Sequence, residues 1–405
     1  MSRGPVVATS GLTGGSTSEQ ARVIGAVCAM ISVAAPPFLV AVLAVQIEDQ
    51  LGFSTTELGL GVGGYFLISA VMSPVMGRLV GRWGAGRLLR LACALATMGL
   101  LIIAAAPNAA IIVLVLALLG FPNAAVQPAA THVITGVRGT RAQAFSFGLV
   151  QASVPATTLL AGLVLAAFPS ASWRVVVMAV GCATLLAQVA VKGVPLDNDQ
   201  RERKRASYGI VGTREAGVPG AKARRFIALM ALGGFFLSFA AQCLPSFLVV
   251  TGIRAGMHPT AVGTVQVAAS VASIMARIVV AARAGRSAGS SDVSGLCVLA
   301  VAGTIGFAML AVGDATAFLV GALVAYGCGW GWSALFNFSV ARARPDNAAA
   351  SAGVTQAGIF FGGSAGPVVF ATIVTISNVQ VAWSSAALTS ALGACFLFAA
   401  HRQWR

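Results

Sequence analysis

The sequence predicts an all-α membrane protein with twelve transmembrane helices in two six-helix bundles related by pseudo-symmetry. Three observations carry that expectation. Of the 405 residues, 58% are hydrophobic and only 9% charged, with a mean hydropathy of +0.88. A soluble chain of this length needs far more charge to cover its surface. The apolar residues gather in twelve segments, each about 20 residues long, the length that crosses a bilayer as a helix. A polar stretch divides them six and six, and the second six repeat short motifs of the first.

In chain order, the first six segments begin near Arg22, Glu57, Arg87, Ala109, Ala142 and Ser172. The second six begin near Phe226, Pro259, Asp292, Ala315, Ala349 and Val381. The expected organisation is a tail 1–21, a bundle 22–193, a linker 194–225, a bundle 226–401 and a basic tail 402–405. Asp197, Asp199, Arg201, Glu202, Arg203, Lys204, Arg205, Lys222, Arg224 and Arg225 make the linker a solvated connection. The first tail is polar and small, and no cleavage site follows the first apolar segment, which is therefore expected to be a retained helix. Ser54-x-x-Glu57 is a capping box for the second segment.

A net charge of +15 raises nucleic acid as a partner, but the distribution argues against it. In this topology every Lys and Arg except Arg174 and Arg254 falls on one side of the membrane. That bias sets orientation, with both termini and the linker cytoplasmic. The acids all lie in tails, in loops or at helix ends. The seven cysteines sit in apolar segments without ligand spacing, so they are expected to be reduced packing residues. Neither paired carboxylates nor a nucleophile–base spacing occurs within the segments, so neither an enzyme nor a cofactor or metal is expected.

The repeat is visible in four pairs that keep their order. Pro36-Pro-Phe-Leu-Val40 matches Pro245-Ser-Phe-Leu-Val249, and Gly52-Phe-Ser-Thr-Thr56 matches Gly256-Met-His-Pro-Thr260. Met76-Gly-Arg78-Leu-Val80 matches Met275-Ala-Arg277-Ile-Val279, and Gly148-Leu-Val-Gln151-Ala152 matches Gly353-Val-Thr-Gln356-Ala357. Repeats of one orientation imply bundles related by an axis along the membrane normal.

Between the second and third segments, Gly77, Gly81, Arg82, Gly84 and Arg87 are spaced Gly-x-x-x-Gly-Arg-x-Gly-x-x-Arg. This stretch resembles the signature loop between helices 2 and 3 of the major facilitator superfamily, which usually has an acid where this chain has Gly81. The resemblance implies a monomeric secondary transporter working by alternating access, with a midplane site built from helices 1, 4, 5, 7, 8, 10 and 11. It also implies a gating loop, Gly77, Arg78, Gly81, Arg82, Gly84 and Arg87, that braces the outward-facing state. Gly77 and Gly84 are expected to tolerate bulk poorly where helix ends approach.

Two finer resemblances follow. Val126-Gln-Pro-Ala-Ala130, Gln151-Ala-Ser-Val-Pro155, Leu160-Ala-Gly162 and Trp173-Arg174 resemble a bacterial branch near the cyanate-type permeases, which implies an inner-membrane location. Many members place Lys before the fifth-helix Gln, where this chain has Val150. Gly362-Gly363-Ser364-Ala365-Gly366-Pro367 resembles the glycine–proline motif that drug–proton antiporters carry in helix 5. Here it lies in the eleventh segment, so close helix packing and a flexible gate are expected of it.

Polar side chains are costly in a bilayer and usually face the bundle interior. Helical spacing aligns Asn123, Gln127 and Thr131; Gly148, Gln151, Pro155 and Thr158; Ser238, Gln242 and Pro245; Trp330, Ser333 and Asn337; and Gly353, Gln356 and Gly363. Candidate substrate-cavity residues are Asn123, Gln127, Gln151, Gln242, Gln266, Arg277, Trp330, Asn337 and Gln356. The alternative for each is interhelical hydrogen bonding that only holds the bundle together. His132 is a candidate proton relay, against simple solvation at the helix end.

Arg277 is set apart from its repeat partner Arg78. Gln266, Ser270, Ser273 and Arg277 keep to one helical arc, whereas Arg78 falls off the stripe of Tyr65, Ser69 and Ser73. Arg277 either meets a substrate anion or serves as an anchor or a carbonyl cap. The function expected is transport of a small organic solute, with a carboxylate or other small anion as one candidate. Export of neutral or lipophilic compounds is the alternative, and a sensor or scaffold that does not transport is the option from another class.

Overall fold

A computed structural model describes residues 14–137, 140–195, 220–284, 293–343 and 348–404. It contains 12 helices long and apolar enough to cross a membrane. These are α1 (Glu19–Val42), α2 (Thr55–Trp83), α3 (Ala85–Ala104), α4 (Ala109–Thr135), α5 (Phe145–Ala167) and α6 (Trp173–Val191). The second half gives α7 (Lys222–Arg254), α8 (Pro259–Val280), α9 (Val293–Leu310), α10 (Ala315–Asn337), α11 (Gly353–Ile376) and α12 (Val379–Gln403). Most of the expected linker, the first residues of the N-terminal tail, Asp292 and Asp346 lie outside the described residues.

Local chemistry sets the helix ends. Ser54 and Glu57 form the capping box that starts α2: the Ser54 hydroxyl accepts from the Glu57 amide at 3.2 Å, and Glu57 accepts from the Ser54 amide at 2.7 Å. Asn108 and Asp314 cap α4 and α10 at equivalent points of the two halves. The repeated glycines Gly52 and Gly256 both take the left-handed conformation, with φ of 66° and 87°.

The stretch expected to be a loop after α2 is largely helical. Residues Gly77 to Trp83 complete α2, and the reversal into α3 is made at Gly84 alone, with φ 85° and ψ 148°. That conformation is essentially confined to glycine. Around it, a Cβ at Gly86 would collide with the Pro195 carbonyl. Arg90 Nη2 donates to the carbonyls of Lys192 and Val194, each at 3.1 Å, which ties the turn to the end of α6. Gly77 corrects an expectation: it is exposed, and a Cβ there would meet nothing within 4 Å.

The end of the molecule that carries Gly84 also carries Arg78, Arg82, Arg87, Arg90, Lys192, Lys222, Arg224, Arg225 and Arg402, and is called here the basic end. The core differs between the two ends. At the far end one buried cluster runs through both halves, from Phe38, Leu58, Tyr65 and Trp173 to Phe247, Phe307, Phe370 and Trp383. At the basic end there are two separate clusters. One is built around Ala29, Leu89, Cys93 and Ile134 of the first half, and the other around Phe226, Met230, Phe336 and Leu397 of the second. The halves are therefore packed as one body at the far end and as two at the basic end.

Small residues make the far-end seam. Gly59 meets the Pro367 carbonyl and Ala371, Gly63 meets Ser364 and Val368, and Gly162 and Gly263 approach each other across α5 and α8. Polar contacts join the same surfaces. Thr56 and Thr375 lie 3.1 Å apart, Thr158 and Ser270 lie 2.8 Å apart, and Arg254 pairs with Glu48 at 2.8 Å on the rim. Within the second half, α11 lies hard against α7: a Cβ at Gly362 or Gly366 would overlap the carbonyl of Phe235 or Phe239. The glycine–proline stretch is thus a helix-packing face.

Candidate functional site

Beneath the far-end seam, toward the basic end, lies a cavity of about 120 Å³ shared by the two halves. Eight of the nine residues expected there line it: Asn123, Gln127, Gln151, Gln242, Arg277, Trp330, Asn337 and Gln356. Gln151 and Gln356, equivalent in the repeat, stand on opposite sides. Gln127 Nε2 approaches Gln151 Oε1 at 3.5 Å. Asn123 donates to Ser69 Oγ at 2.8 Å, and that hydroxyl in turn donates to the Tyr65 and Gly120 carbonyls. Asn123 therefore also ties α4 to α2.

Gln266 is the exception. It lies in the seam between α5 and α8, where its amide donates to the Tyr326 hydroxyl at 2.7 Å and its stem fills the space beside Gly162. Periodicity put it on the stripe of Arg277, but the stripe leaves the cavity and enters the closed interface. His132 is half-buried in the last turn of α4 and is not among the lining residues. Of the expected gating residues, Arg78, Arg82 and Arg87 are exposed at the basic end, while Gly81 is half-buried in the last turns of α2.

The aromatic part of the lining was not anticipated. Phe38, Tyr65, Phe66, Trp332 and Phe360 complete the walls, with Phe38 edge-on to Trp330 at 6.0 Å and Phe66 facing Phe360 at 6.4 Å. Alternation of apolar residues in an apolar helix carries no mark that separates a cavity wall from a lipid-facing side. One signal was available: Pro37 has no N–H, so it frees the Val33 carbonyl, and Tyr65 Oη donates to that carbonyl at 3.1 Å.

The same rule explains the centre of the site. Pro155 deprives the Gln151 carbonyl of its intrahelical donor, and Arg277 Nη1 donates to that carbonyl at 2.7 Å. On the other side α10 is interrupted. A π-helical turn, Ala325–Gly329, leads into non-helical Trp330–Trp332 before the helix resumes at Ser333. Carbonyls at such a break need outside donors. Trp332 Nε1 donates to the Gly329 carbonyl at 2.9 Å, and Arg277 Nη2 to the Trp330 carbonyl at 2.7 Å. A Cβ at Gly331 would overlap the Gly327 carbonyl, which fixes glycine at this break.

Arg277 is 3% exposed, with its guanidinium 5.0 Å from the Trp330 ring centre. No ion pair to it is present among the described residues, and the described acids Glu19, Glu48, Asp49, Glu57 and Asp314 all sit at helix ends. Its Nε has no partner, nor does Gln242 Oε1, another atom of a lining residue. Placing a cation at mid-bilayer costs about 2.5–3.5 kcal/mol on insertion scales and more by other estimates. Hydrogen bonds to a charged group return about 1.5–3 kcal/mol each. Two carbonyls are therefore enough to hold the side chain, but they leave its charge unneutralised.

A second cavity, of about 450 Å³, opens at the far rim of the second half beside Arg254, Met257, Asp314, Phe318, Asn378 and Trp383. It is larger than the central one, but it is confined to one half and shares no lining residue with it.

Comparison with family models gives a match to the model described as Major Facilitator Superfamily over residues 23–367. Comparison with curated proteins gives no match.

Proposed function

The chain belongs to the major facilitator superfamily, and from that premise we propose that it carries a small organic anion across the membrane, bound at Arg277. Family membership makes it a membrane transporter and not an enzyme. The observation that carries the finer reading is the central cation. Arg277 is the one charged residue lining the cavity among those described, and it has no carboxylate partner there. A planar guanidinium binds carboxylates through two parallel hydrogen bonds, and in a low-dielectric site such bonds are strong. The cavity volume of about 120 Å³ lies below the ~300–1,000 Å³ of sites for drug-sized ligands. It favours a small solute over a bulky lipophilic one.

Alternating access is the mechanism we assign. The two halves rock about the cavity, and the described state has its far end packed shut and its basic end divided. The positive-inside bias puts the basic end in the cytoplasm, so this is an inward-facing state of an inner-membrane carrier, a monomer working as symporter or uniporter. The Gly84 turn braces the basic end, while Gly77 only continues the helix. Protons, if they are carried, travel with the substrate rather than on a buried acid. His132 stands outside the cavity lining, so we assign it no contact with substrate.

The test is uptake into proteoliposomes of labelled formate, oxalate, succinate and nitrate, beside neutral solutes and lipophilic dyes. Selective uptake of one or more anions, lost in Arg277→Gln, is expected. Uptake of neutral or lipophilic compounds alone would favour an exporter, and no flux of any kind would favour a sensor or scaffold.

A further inference from the structure

The partners of Arg277 come from different halves of the protein, and this gives the residue a second role that rests on the proposed anion site. The Trp330 carbonyl belongs to the same half as Arg277, so that hydrogen bond persists when the halves move. The Gln151 carbonyl belongs to the other half. It is the innermost polar link of the α5–α8 seam, followed toward the far end by Thr158 with Ser270 and then by the Gly162–Gly263 approach. Opening the far end parts α5 from α8 and takes the Gln151 carbonyl away from the guanidinium. A buried cation then loses one of its two acceptors in a site walled by Trp330, Val154 and Phe38.

We propose that the Gln151 carbonyl, freed by Pro155, occupies the place of the anion in the empty carrier and latches the far end shut. A bound anion takes over that hydrogen bond and releases the latch. Water entering the seam competes for the same donors, but a carboxylate makes the stronger, charge-assisted bonds. Loaded carrier therefore reorients readily and empty carrier slowly, so the protein exchanges one anion for another faster than it carries anion in one direction. Pro155 is a positioning residue in this scheme. It touches no substrate and acts by leaving one carbonyl without its helical donor.

The latch is tested in the full-length protein with no anion added, by pulsed electron spin measurement of the distance between labels at Asp49 and Ser377. Both positions are exposed at the far end, one in each half. The exposed Cys182 and Cys395 are first replaced by serine. The unsubstituted latch should give one short distance. Arg277→Gln and Pro155→Ala should each add a longer one, raising the open population at least about fivefold, the lower range of measured site couplings. Arg277→Lys, which lacks the planar fork, should fall between, and Arg402→Gln should match the parent. Oxalate or succinate should shift the parent toward the longer distance.

Identical distance distributions in the parent, Arg277→Gln and Pro155→Ala would overturn the latch. Should Pro155→Ala fail to fold, Arg277→Gln decides alone. The two proposals fail separately. Anion binding that depends on Arg277 with unchanged distances would leave the site and remove the latch. Opening in Arg277→Gln with no anion bound or carried would leave the latch and remove the anion.

Discussion

Arg78 and Arg277 stand in the same short motif of the two halves, each two residues after a methionine in the second helix of its bundle, but Arg78 follows Gly52 by 26 residues and Arg277 follows Gly256 by 21. One is exposed at the basic end, and the other is 3% exposed at the centre of the molecule. Part of the difference is depth along the helix: counted from the helix starts at Thr55 and Pro259, Arg277 stands five residues nearer the far end than Arg78. The rest comes from what each side chain meets. Arg277 reaches two carbonyls left without helical donors, one by Pro155 and one by the interruption of α10 after Gly329. The α4 helix of the first half also breaks, between Leu118 and Gly120, but no cation comes to that break: Ser69 Oγ takes the Gly120 carbonyl instead. The motif is repeated at two depths, and defects in neighbouring helices supply the carbonyls that hold the arginine lying at the depth of the cavity.

Exchanging the two arginines for glutamine is the largest test of that contrast. Arg277→Gln should lower anion transport by about 30-fold or more, since removing one partner of a buried charged pair costs about 2–5 kcal/mol. Arg78→Gln should lower it by less than about threefold, as expected of an exposed charge. Comparable losses in transport would erase the distinction.

Three glycines sharpen the comparison at the level of packing. Gly362→Val puts a side chain into the Phe235 carbonyl and should destabilise the second half by about 1–3 kcal/mol or prevent its folding, as overpacking does. Gly77→Val enters open space and should change the melting temperature little. The repeat already points that way, since Ala276 stands where Gly77 does. Gly84→Ala should cost about 1–3 kcal/mol, because its backbone conformation excludes a Cβ. Thermal unfolding in one detergent orders the three.

A small, salt-dependent effect belongs to the rim. Glu48 and Arg254 join the halves at 2.8 Å, but their side chains are 40% and 35% exposed. An exposed pair contributes about 0.2–1 kcal/mol and weakens with salt. Glu48→Gln should change transport by less than about fivefold, by the same reckoning, and the change should vanish at high ionic strength. A loss as large as that from Arg277→Gln would move the gate from the centre to the rim.

The architecture was legible because bilayer length, the charge asymmetry and the repeats each constrain it independently. Capping residues such as Ser54 and Asp314 also mark helix starts directly in the sequence. The site was legible where a polar residue in an apolar segment has no lipid-facing alternative, as with Gln151, Gln242 and Gln356. It failed at Gln266, because helical periodicity gives a direction but not the depth at which one half closes on the other. Phe66 and Phe360 were invisible for a related reason, since an aromatic side chain is equally at home against lipid, core or cavity. At Gly77 the motif was followed where geometry differs: α2 runs on to Trp83, and only Gly84 makes the turn. The freed carbonyl of Gln151 was present in the sequence as a proline four residues later, but its partner lies in the other half.

The central claim is that Arg277 is the anion site, and calorimetric titration tests it most directly. The anion that the flux assay selects is titrated into the unsubstituted protein, Arg277→Lys and Arg277→Gln under the same buffer conditions. The account predicts that Gln weakens binding by about 30-fold or more, as loss of a buried charged partner does, with Lys intermediate because it keeps the charge without the fork. Wild-type affinity in Arg277→Gln would contradict it.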